Sequence, residues 1–228
     1  MKVRLFPTTL AALFILAGAT CLTGCSGGAA ASLAPAAKAV QIYEPNYVSA
    51  LGSGRKWSRQ AIRCRVASPE GRSLDPLFTR ALGAWTPFSE GLFSLSVASS
   101  GAAEITLESV PVGSLGGKTI GLTTISYRTS DSRILRAQIK VDASLDDDAM
   151  VQVMAHELGH ALGLDGHSPD RADLMYAHAH LPLVTTERDR NTLFTINADT
   201  LVGLSRAQKS DGGTGEPITT VVCQFQKD

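Results

Sequence analysis

The segment HELGHALGLDGHS, from His156 to Ser168, constrains the fold of this chain more than any other feature. His156 and His160 are four residues apart, so on an α-helix their side chains lie one turn apart on the same face. Gly163 can adopt a positive φ and end that helix, and His167 can then return toward the first two histidines. The segment therefore predicts a helix that presents two imidazoles, followed by a turn that brings back a third.

Converging imidazoles of this kind can bind Zn²⁺, which takes three protein ligands and one open position in catalytic sites. Glu157 follows the first histidine and can take a proton from a metal-bound water. The alternative is a surface helix that carries two histidines by chance, but all five histidines of the chain fall within residues 156–180. We therefore expect His156, His160 and His167 to bind Zn²⁺ and Glu157 to act as the general base.

The residues from Ala155 to Ala177 resemble the metzincin clan of zinc peptidases, and within it the matrixin-like family. Metzincins carry the pattern HExxHxxGxxH, followed by a tight turn around a methionine. This chain has one extra residue between Gly163 and the last histidine, so Gly166 stands at the usual position of the third ligand. Asp165 and His167 flank that glycine, and either side chain is a candidate ligand.

The spacing after the third histidine distinguishes these candidates. In matrixins a serine follows that histidine and the turn methionine comes eight residues after it. Counted from His167, these positions hold Ser168 and Met175. The resemblance therefore implies that His167 is the ligand rather than Asp165, and that Met175 forms the hydrophobic floor of the site. It also implies peptide-bond hydrolysis, with a protein or peptide as substrate.

The hydrophobic pattern predicts the order of helices and strands. The predicted order is a strand, a helix, four strands, the helix of the motif, a last helix and a closing strand. The predicted strands are residues 61–67, 93–99, 103–110, 119–129, 133–144 and 219–225, and the predicted helices are residues 73–92, 146–164 and 186–196. The predicted fold class is α/β (α+β zincin-like), with a twisted, mostly parallel sheet, an active-site helix, a Met-turn and a C-terminal helix. Residues 121–126 (GLTTIS) are expected in an antiparallel edge strand that can pair with an extended substrate.

The N-terminal residues predict export and a lipid anchor. Residues 1–24 contain two basic residues and then the apolar run LAALFILAGA, a pattern typical of a signal peptide. The sequence LTGC that ends at Cys25 resembles the bacterial lipobox, which implies cleavage before Cys25 and a lipid on its thiol. An ordinary signal peptide and a freely secreted protein are the alternative. Residues 25–50, rich in Ala, Gly and Ser, are expected to form a flexible tether before a catalytic domain at 51–228.

Composition limits the partners and the cysteine chemistry. The formal net charge is +0, which gives no indication of nucleic-acid binding, and we expect a monomer. Cys64 and Cys223 remain once Cys21 is removed with the signal peptide and Cys25 takes the lipid. Two cysteines in strand-like segments of an exported protein predict a disulfide. A cysteine that blocks the metal is the alternative for this pair.

The complete prediction is a lipid-anchored zinc endopeptidase of the bacterial cell envelope, on the outer membrane if the source has two membranes. The first alternative is a non-catalytic zinc-binding surface lipoprotein that uses a metzincin-like fold for binding or adhesion. A second is an envelope-structural lipoprotein whose zinc is closed by a fourth ligand, for which only His178 or His180 is available; otherwise both are expected to line the pocket or the surface. Glu157 favours the enzyme, because a binding protein does not need a general base between two ligands.

Overall fold

The computed structural model describes residues 42–52, 54–68, 72–179, 184–198 and 217–227. Each helix and strand predicted from the hydrophobic pattern is present in this part of the chain. The strands are β1 (Lys56–Trp57), β2 (Ala61–Ala67), β3 (Ser94–Val97), β4 (Ile105–Val110), β5 (Thr119–Arg128), β6 (Arg133–Asp142), β7 (His178–Ala179) and β8 (Ile218–Lys227). The helices are α1 (Asp75–Ser89), α2 (Asp147–Ala161) and α3 (Glu187–Ile196), with a short 3-10 helix at Val48–Ala50.

The strands form one sheet in the order β3-β2-β4-β6-β5-β8-β7, and β1 pairs with the first two residues of β6. β5 runs against both of its neighbours, and the other pairs within the described residues are parallel. The sheet is therefore mostly parallel, and the predicted mixed α/β class is confirmed.

One detail of the predicted sheet needs correction. β5 is antiparallel, as expected, but it does not lie at an edge, because β8 pairs with it from Thr119 to Arg128. The β5 main chain is thus hydrogen-bonded on both sides, to β6 and to β8. Pairing between β5 and β8 joins residues about a hundred positions apart, and hydrophobic alternation does not reveal such a partner.

Helix α2 packs against β5, β6 and α1, and two tryptophans attach it to its surroundings. The Trp57 indole N–H donates to the main-chain oxygen of Ala161 at 2.9 Å, and that of Trp85 donates to Ala155 at 2.7 Å. Both indoles are almost completely buried, so each pairs its polar N–H inside the core. These contacts hold the part of α2 that carries the histidines in a fixed position.

Residues 42–50 pack on the domain, although the sequence assigns them to the tether. The Tyr47 ring is 3% exposed, and its hydroxyl donates to Asp189 of α3 at 2.8 Å. Nearby, the main-chain N–H of Tyr43 donates to Thr195 Oγ1 at 2.9 Å. The ordered domain therefore begins before the boundary predicted at residue 51. The signal peptide and Cys25 lie outside the described residues.

The predicted disulfide is wrong: Cys64 and Cys223 are both free thiols. Cys64 lies in β2 and Cys223 in β8, and three strands separate β2 from β8 in the sheet. Four inter-strand spacings amount to roughly 19 Å, far beyond the Cα separation that a disulfide can span. Burial raises the pKa of each thiol to about 12, so neither thiol ionises readily near neutral pH.

Candidate metal centre and active site

Helix α2 presents His156 and His160 from buried positions in its last two turns. Nδ1 of His156 lies 2.7 Å from the main-chain oxygen of Leu174, and Nδ1 of His160 lies 2.6 Å from that of Leu164. A carbonyl only accepts, so both Nδ1 atoms carry the proton and both Nε2 atoms keep a free lone pair. Such carbonyl contacts orient histidine ligands and fix their tautomer.

The turn after α2 brings His167 to these two rings. Gly163 has a φ of +116°, and a Cβ there would meet the main-chain oxygen of Arg55, so only glycine fits this position. The chain then reverses, and the ligand atoms of His156, His160 and His167 lie within 4.8 Å of one another. The structure therefore brings together the three histidines that the sequence predicts as metal ligands.

The three histidines fit a zinc ion. Nε2 of His156 and Nε2 of His160 are 3.1 Å apart, with two lone pairs facing each other. Tetrahedral Zn²⁺ with Zn–N bonds of about 2.05 Å places its ligand atoms about 3.3 Å apart. Nε2 of His167 is buried and has no hydrogen-bond partner among the described residues. Burial, followed by the charge of His167, lowers the pKa of His160 to about 3, so the ring remains neutral and able to bind a cation.

Asp165, the other candidate ligand, has a different role. Its carboxylate is buried, forms an ion pair with Arg55 and accepts from the main-chain N–H of Gly52 at 3.1 Å. A Cβ on Gly166 would meet the main-chain oxygen of Ala50 and come within 2.9 Å of Leu51 Cα. The turn that holds the extra residue is therefore packed against the segment before β1, and its aspartate is used in that packing.

Met175 packs against helix α2 at Gly159, the residue before His160. It is fully buried, and its sulfur is so close to Gly159 that a Cβ there would overlap it. The Ser168 N–H donates to the main-chain oxygen of Met175 at 2.8 Å, and the Ser168 hydroxyl donates to the buried Asp173. The methionine turn is thus joined directly to the residue that follows His167, which keeps the third histidine in register.

Glu157 is fully buried beside the histidines and contacts β5. Thr123 Oγ1 lies 2.5 Å from Oε2 of the glutamate and 3.0 Å from its main-chain oxygen. The other carboxylate oxygen, Oε1, has no partner among the described residues. Burial raises the pKa of Glu157 to about 8, although the Thr123 hydrogen bond lowers it. A carboxylate with one anchored and one unpartnered oxygen is suited to accept and release a proton.

Two residues that support Glu157 are not evident from the sequence. Thr123 is a buried threonine on the inner face of β5. Gly121 lies two residues earlier on the same face, and a Cβ there would lie 2.5 Å from Glu157 Oε1 and 2.7 Å from Val153 Cγ1. The alternation in GLTTIS predicts that both residues face inward, but nothing local indicates that they touch the glutamate.

We expect Gly121→Ala to impair the site more than the fold. The added methyl would displace Glu157 or Val153, since neither distance allows ordinary contact. Overpacking of this kind costs about 1–3 kcal/mol. If the strain moves the carboxylate, peptidase activity falls further than this stability loss alone would cause. Both kcat/KM and the free energy of unfolding should be measured for Gly121→Ala and for wild type. The matched control is Gly83→Ala in α1, where a Cβ meets nothing within 4 Å.

The raised pKa of Glu157 predicts a pH dependence of the stability of the metal-free protein. The folded protein holds this proton up to about pH 8, whereas the unfolded chain releases it near the ordinary glutamate pKa of 4.5. Stability from this group is therefore complete below the unfolded pKa and is lost as the pH rises toward the folded pKa. From about pH 6 to about pH 8 the loss is about 2 kcal/mol. Urea unfolding of metal-free wild type and Glu157→Gln tests this. Between about pH 6 and about pH 8 the free energy of unfolding of Glu157→Gln should rise by about 2 kcal/mol relative to that of wild type. If the difference between the two proteins is the same at both pH values, the assignment of this pKa to Glu157 is wrong.

His178 lies in β7, where it lines a pocket together with His167, Cys223 and Gln224. It is not part of the three-histidine group, although burial and then the charge of His178 lower the pKa of His167. A fourth protein ligand is therefore not found in the described part of the chain, and His180 lies outside it.

Comparison with known families agrees with this geometry. Residues 124–195, about a third of the chain, match the family model described as matrixin, and the match extends from β5 through α2 to α3. Comparison with curated proteins gives no match. Matrixins are zinc-dependent metallopeptidases, and the three histidines lie within the matched range. The match and the three converging histidines both support a metzincin-like fold of matrixin type for this part of the chain.

Proposed function

We propose that this protein is a zinc-dependent endopeptidase in which Glu157 is the general base. The observation that carries the proposal is the unpartnered Oε1 of Glu157, buried beside three histidines that converge on one point. A buried carboxylate oxygen without a partner is costly, and a water bound in the site would satisfy it. Protein and peptide substrates follow from the family that the domain matches.

Each residue of the site has a distinct task. His156, His160 and His167 hold the ion, and their neutral rings are oriented by main-chain carbonyls. Zinc, when bound, supplies a Lewis acid that polarises the scissile carbonyl and makes a water more acidic. Glu157 accepts a proton at Oε1 and delivers it to the leaving amine, while Thr123 holds Oε2 in place.

The alternative of a non-catalytic binding protein gains no support from the site. Binding zinc requires the histidines, but it does not require a buried glutamate whose pKa is raised to about 8. Gly121 and Thr123 are fitted around that glutamate rather than around the histidines. We therefore retain the enzyme as the proposed function.

A peptide library incubated with the zinc-loaded protein tests this proposal. We expect cleavage at internal peptide bonds, loss of cleavage with a chelator, and recovery when Zn²⁺ is restored. Mass spectrometry of the products identifies the cleaved bonds. A protein that binds one equivalent of zinc and cleaves no peptide, even when β8 is displaced from β5, would contradict the proposed activity.

We also propose that the protein is anchored to the bacterial envelope through Cys25. The support is the sequence LTGC after an apolar run, and these residues lie outside the described structure. Among the described residues, no helix is both long and apolar enough to span a bilayer. Two or more acyl chains hold a protein on a membrane stably.

Cys25→Ala is expected to release the protein from membranes into the soluble fraction. Removal of the thiol removes the site of lipid attachment, and nothing else in the proposal holds the domain at the membrane. Fractionation followed by immunoblotting measures the distribution, with Cys21→Ala as the matched control. If the Cys25 variant remains with the membranes, the lipid anchor at this position is wrong.

A further inference from the structure

Strand β8 pairs along β5, the strand that the sequence predicts to pair with an extended substrate. It pairs antiparallel with β5 along that strand, and at its end it pairs parallel with β7. Cys223 is the direct partner of Thr123, and Phe225 is the partner of Gly121. β8 therefore covers the part of β5 that supports Glu157.

Three consecutive residues of β8 each approach a different residue of the site. The Phe225 ring stacks on His156, with centroids 3.9 Å apart and planes inclined by 19°. The Gln224 main chain is hydrogen-bonded to the His167 ring. Cys223 pairs with Thr123, whose hydroxyl is hydrogen-bonded to Glu157. Contacts this close to the ligands leave little room for a second chain at the same place.

A peptide substrate and β8 need the same groups. Strand addition holds an extended peptide through main-chain hydrogen bonds, and pockets for alternate side chains supply selectivity. The β5 groups that could form these bonds are used by β8, and the apolar position beside His156 is filled by Phe225. The two chains therefore exclude each other.

We propose that β8 is an intramolecular occupant of the peptide-binding cleft, which blocks the site until β8 leaves β5. This inference rests on the proposed peptidase function. A segment tethered to its own site acts at a high effective concentration, so weakly binding peptides compete with it poorly. The peptides that compete best have an aromatic side chain at the position that Phe225 fills.

The packing of β8 is consistent with departure as a unit. Only Cys223 and Phe225 are buried among its ten residues, and both are at the end near the site. Thr220 and Val222 point to solvent, and β7 covers only two residues of the outer edge. The attachment of β8 thus depends on β5 pairing, on these two buried side chains and on the half-buried Val221, and the Phe225 ring is the largest of the three side chains.

The first test uses the full chain and the native thiols. Phe225→Ala is compared with Thr220→Ala, a control in the same strand that faces solvent away from the site. Alkylation by iodoacetamide is followed at Cys223 and at Cys64, which lies in the core and reports whether the domain remains folded. We expect Phe225→Ala to increase both Cys223 labelling and kcat/KM by roughly tenfold or more. The control and Cys64 should stay at wild-type values.

The second test supplies the strand as a separate molecule. A synthetic peptide of residues 217–227 should inhibit the Phe225→Ala protein competitively, and the same peptide with alanine for phenylalanine should be roughly tenfold weaker. Faster Cys223 labelling without faster cleavage, in a protein whose wild type is active, overturns the proposal. So does equal inhibition by the two peptides. If Cys223 stays protected in Phe225→Ala, the substitution has not released β8, and the proposal then stands or falls on whether the phenylalanine peptide inhibits more strongly than the alanine peptide.

The two proposals fail in distinguishable ways. If no variant cleaves any peptide, the peptidase function fails. The binding of a fluorescent 217–227 peptide to the metal-free Phe225→Ala protein, measured by anisotropy, then still decides whether β8 occupies this cleft. If this peptide binds more tightly than the peptide with alanine for phenylalanine, the proposal that β8 occupies the cleft is supported. If the two peptides bind equally, that proposal is wrong.

Discussion

His167→Ala is expected to lose tightly bound zinc and nearly all peptidase activity. The remaining two histidines, His156 and His160, come from one face of one helix and cannot by themselves define a tetrahedral site. The Lewis-acid contribution that depends on the third ligand amounts to several kcal/mol, or about a thousandfold in rate. Zinc content after dialysis and kcat/KM on a cleavable peptide measure the two losses. His178→Ala is the matched control, because this nearby histidine is not in the ligand group.

Asp165→Ala should give the opposite result. This side chain pairs with Arg55 inside the domain, so its removal leaves a buried guanidinium without its carboxylate. Breaking a buried ion pair from one side costs about 3–5 kcal/mol. We therefore expect a lower melting temperature with one equivalent of zinc still bound below it. If Asp165→Ala loses the metal while His167→Ala keeps it, the register of the third ligand is wrong.

The parts of the site that sequence predicts are those set by local geometry. A spacing of four on a helix places His156 and His160 together whatever surrounds them. Gly163 signals the end of that helix because its φ of +116° is a conformation that other residues rarely adopt. His167 follows from the residues counted after it. These inferences need no knowledge of distant segments, and the structure agrees with the arrangement they predict.

The parts that sequence misses are contacts between distant segments. Arg55 and Asp165 are far apart in the chain, and each alone resembles an ordinary surface charge. The free thiols are a further case, because a strand pattern shows that Cys64 and Cys223 face the interior but not how many strands lie between them. The pairing of β8 with β5 is the most consequential. Both strands alternate regularly, and alternation does not identify a partner.

Glu157→Gln is expected to keep zinc and to lose activity by about 10²–10⁴-fold, the usual contribution of a general acid–base residue. The amide has nearly the same shape and can still contact Thr123, so the fold and the three histidines should remain in place. Zinc stoichiometry and kcat/KM should be measured on the same preparation. The substitution should also be made in Phe225→Ala, so that occupancy of the cleft by β8 does not hide the effect.

Variants of Thr123 separate the role of the base from that of its support. Thr123→Val removes the hydroxyl that holds Glu157 Oε2, whereas Thr123→Ser retains it. Thr123 is a positioning residue, so its loss should lower kcat by less than loss of Glu157 does, and serine should restore most of the rate. If the glutamine variant cleaves at the wild-type rate, Glu157 is not the base. If it loses zinc together with activity, the glutamate holds the ligands, and proton transfer has to be assigned to another group.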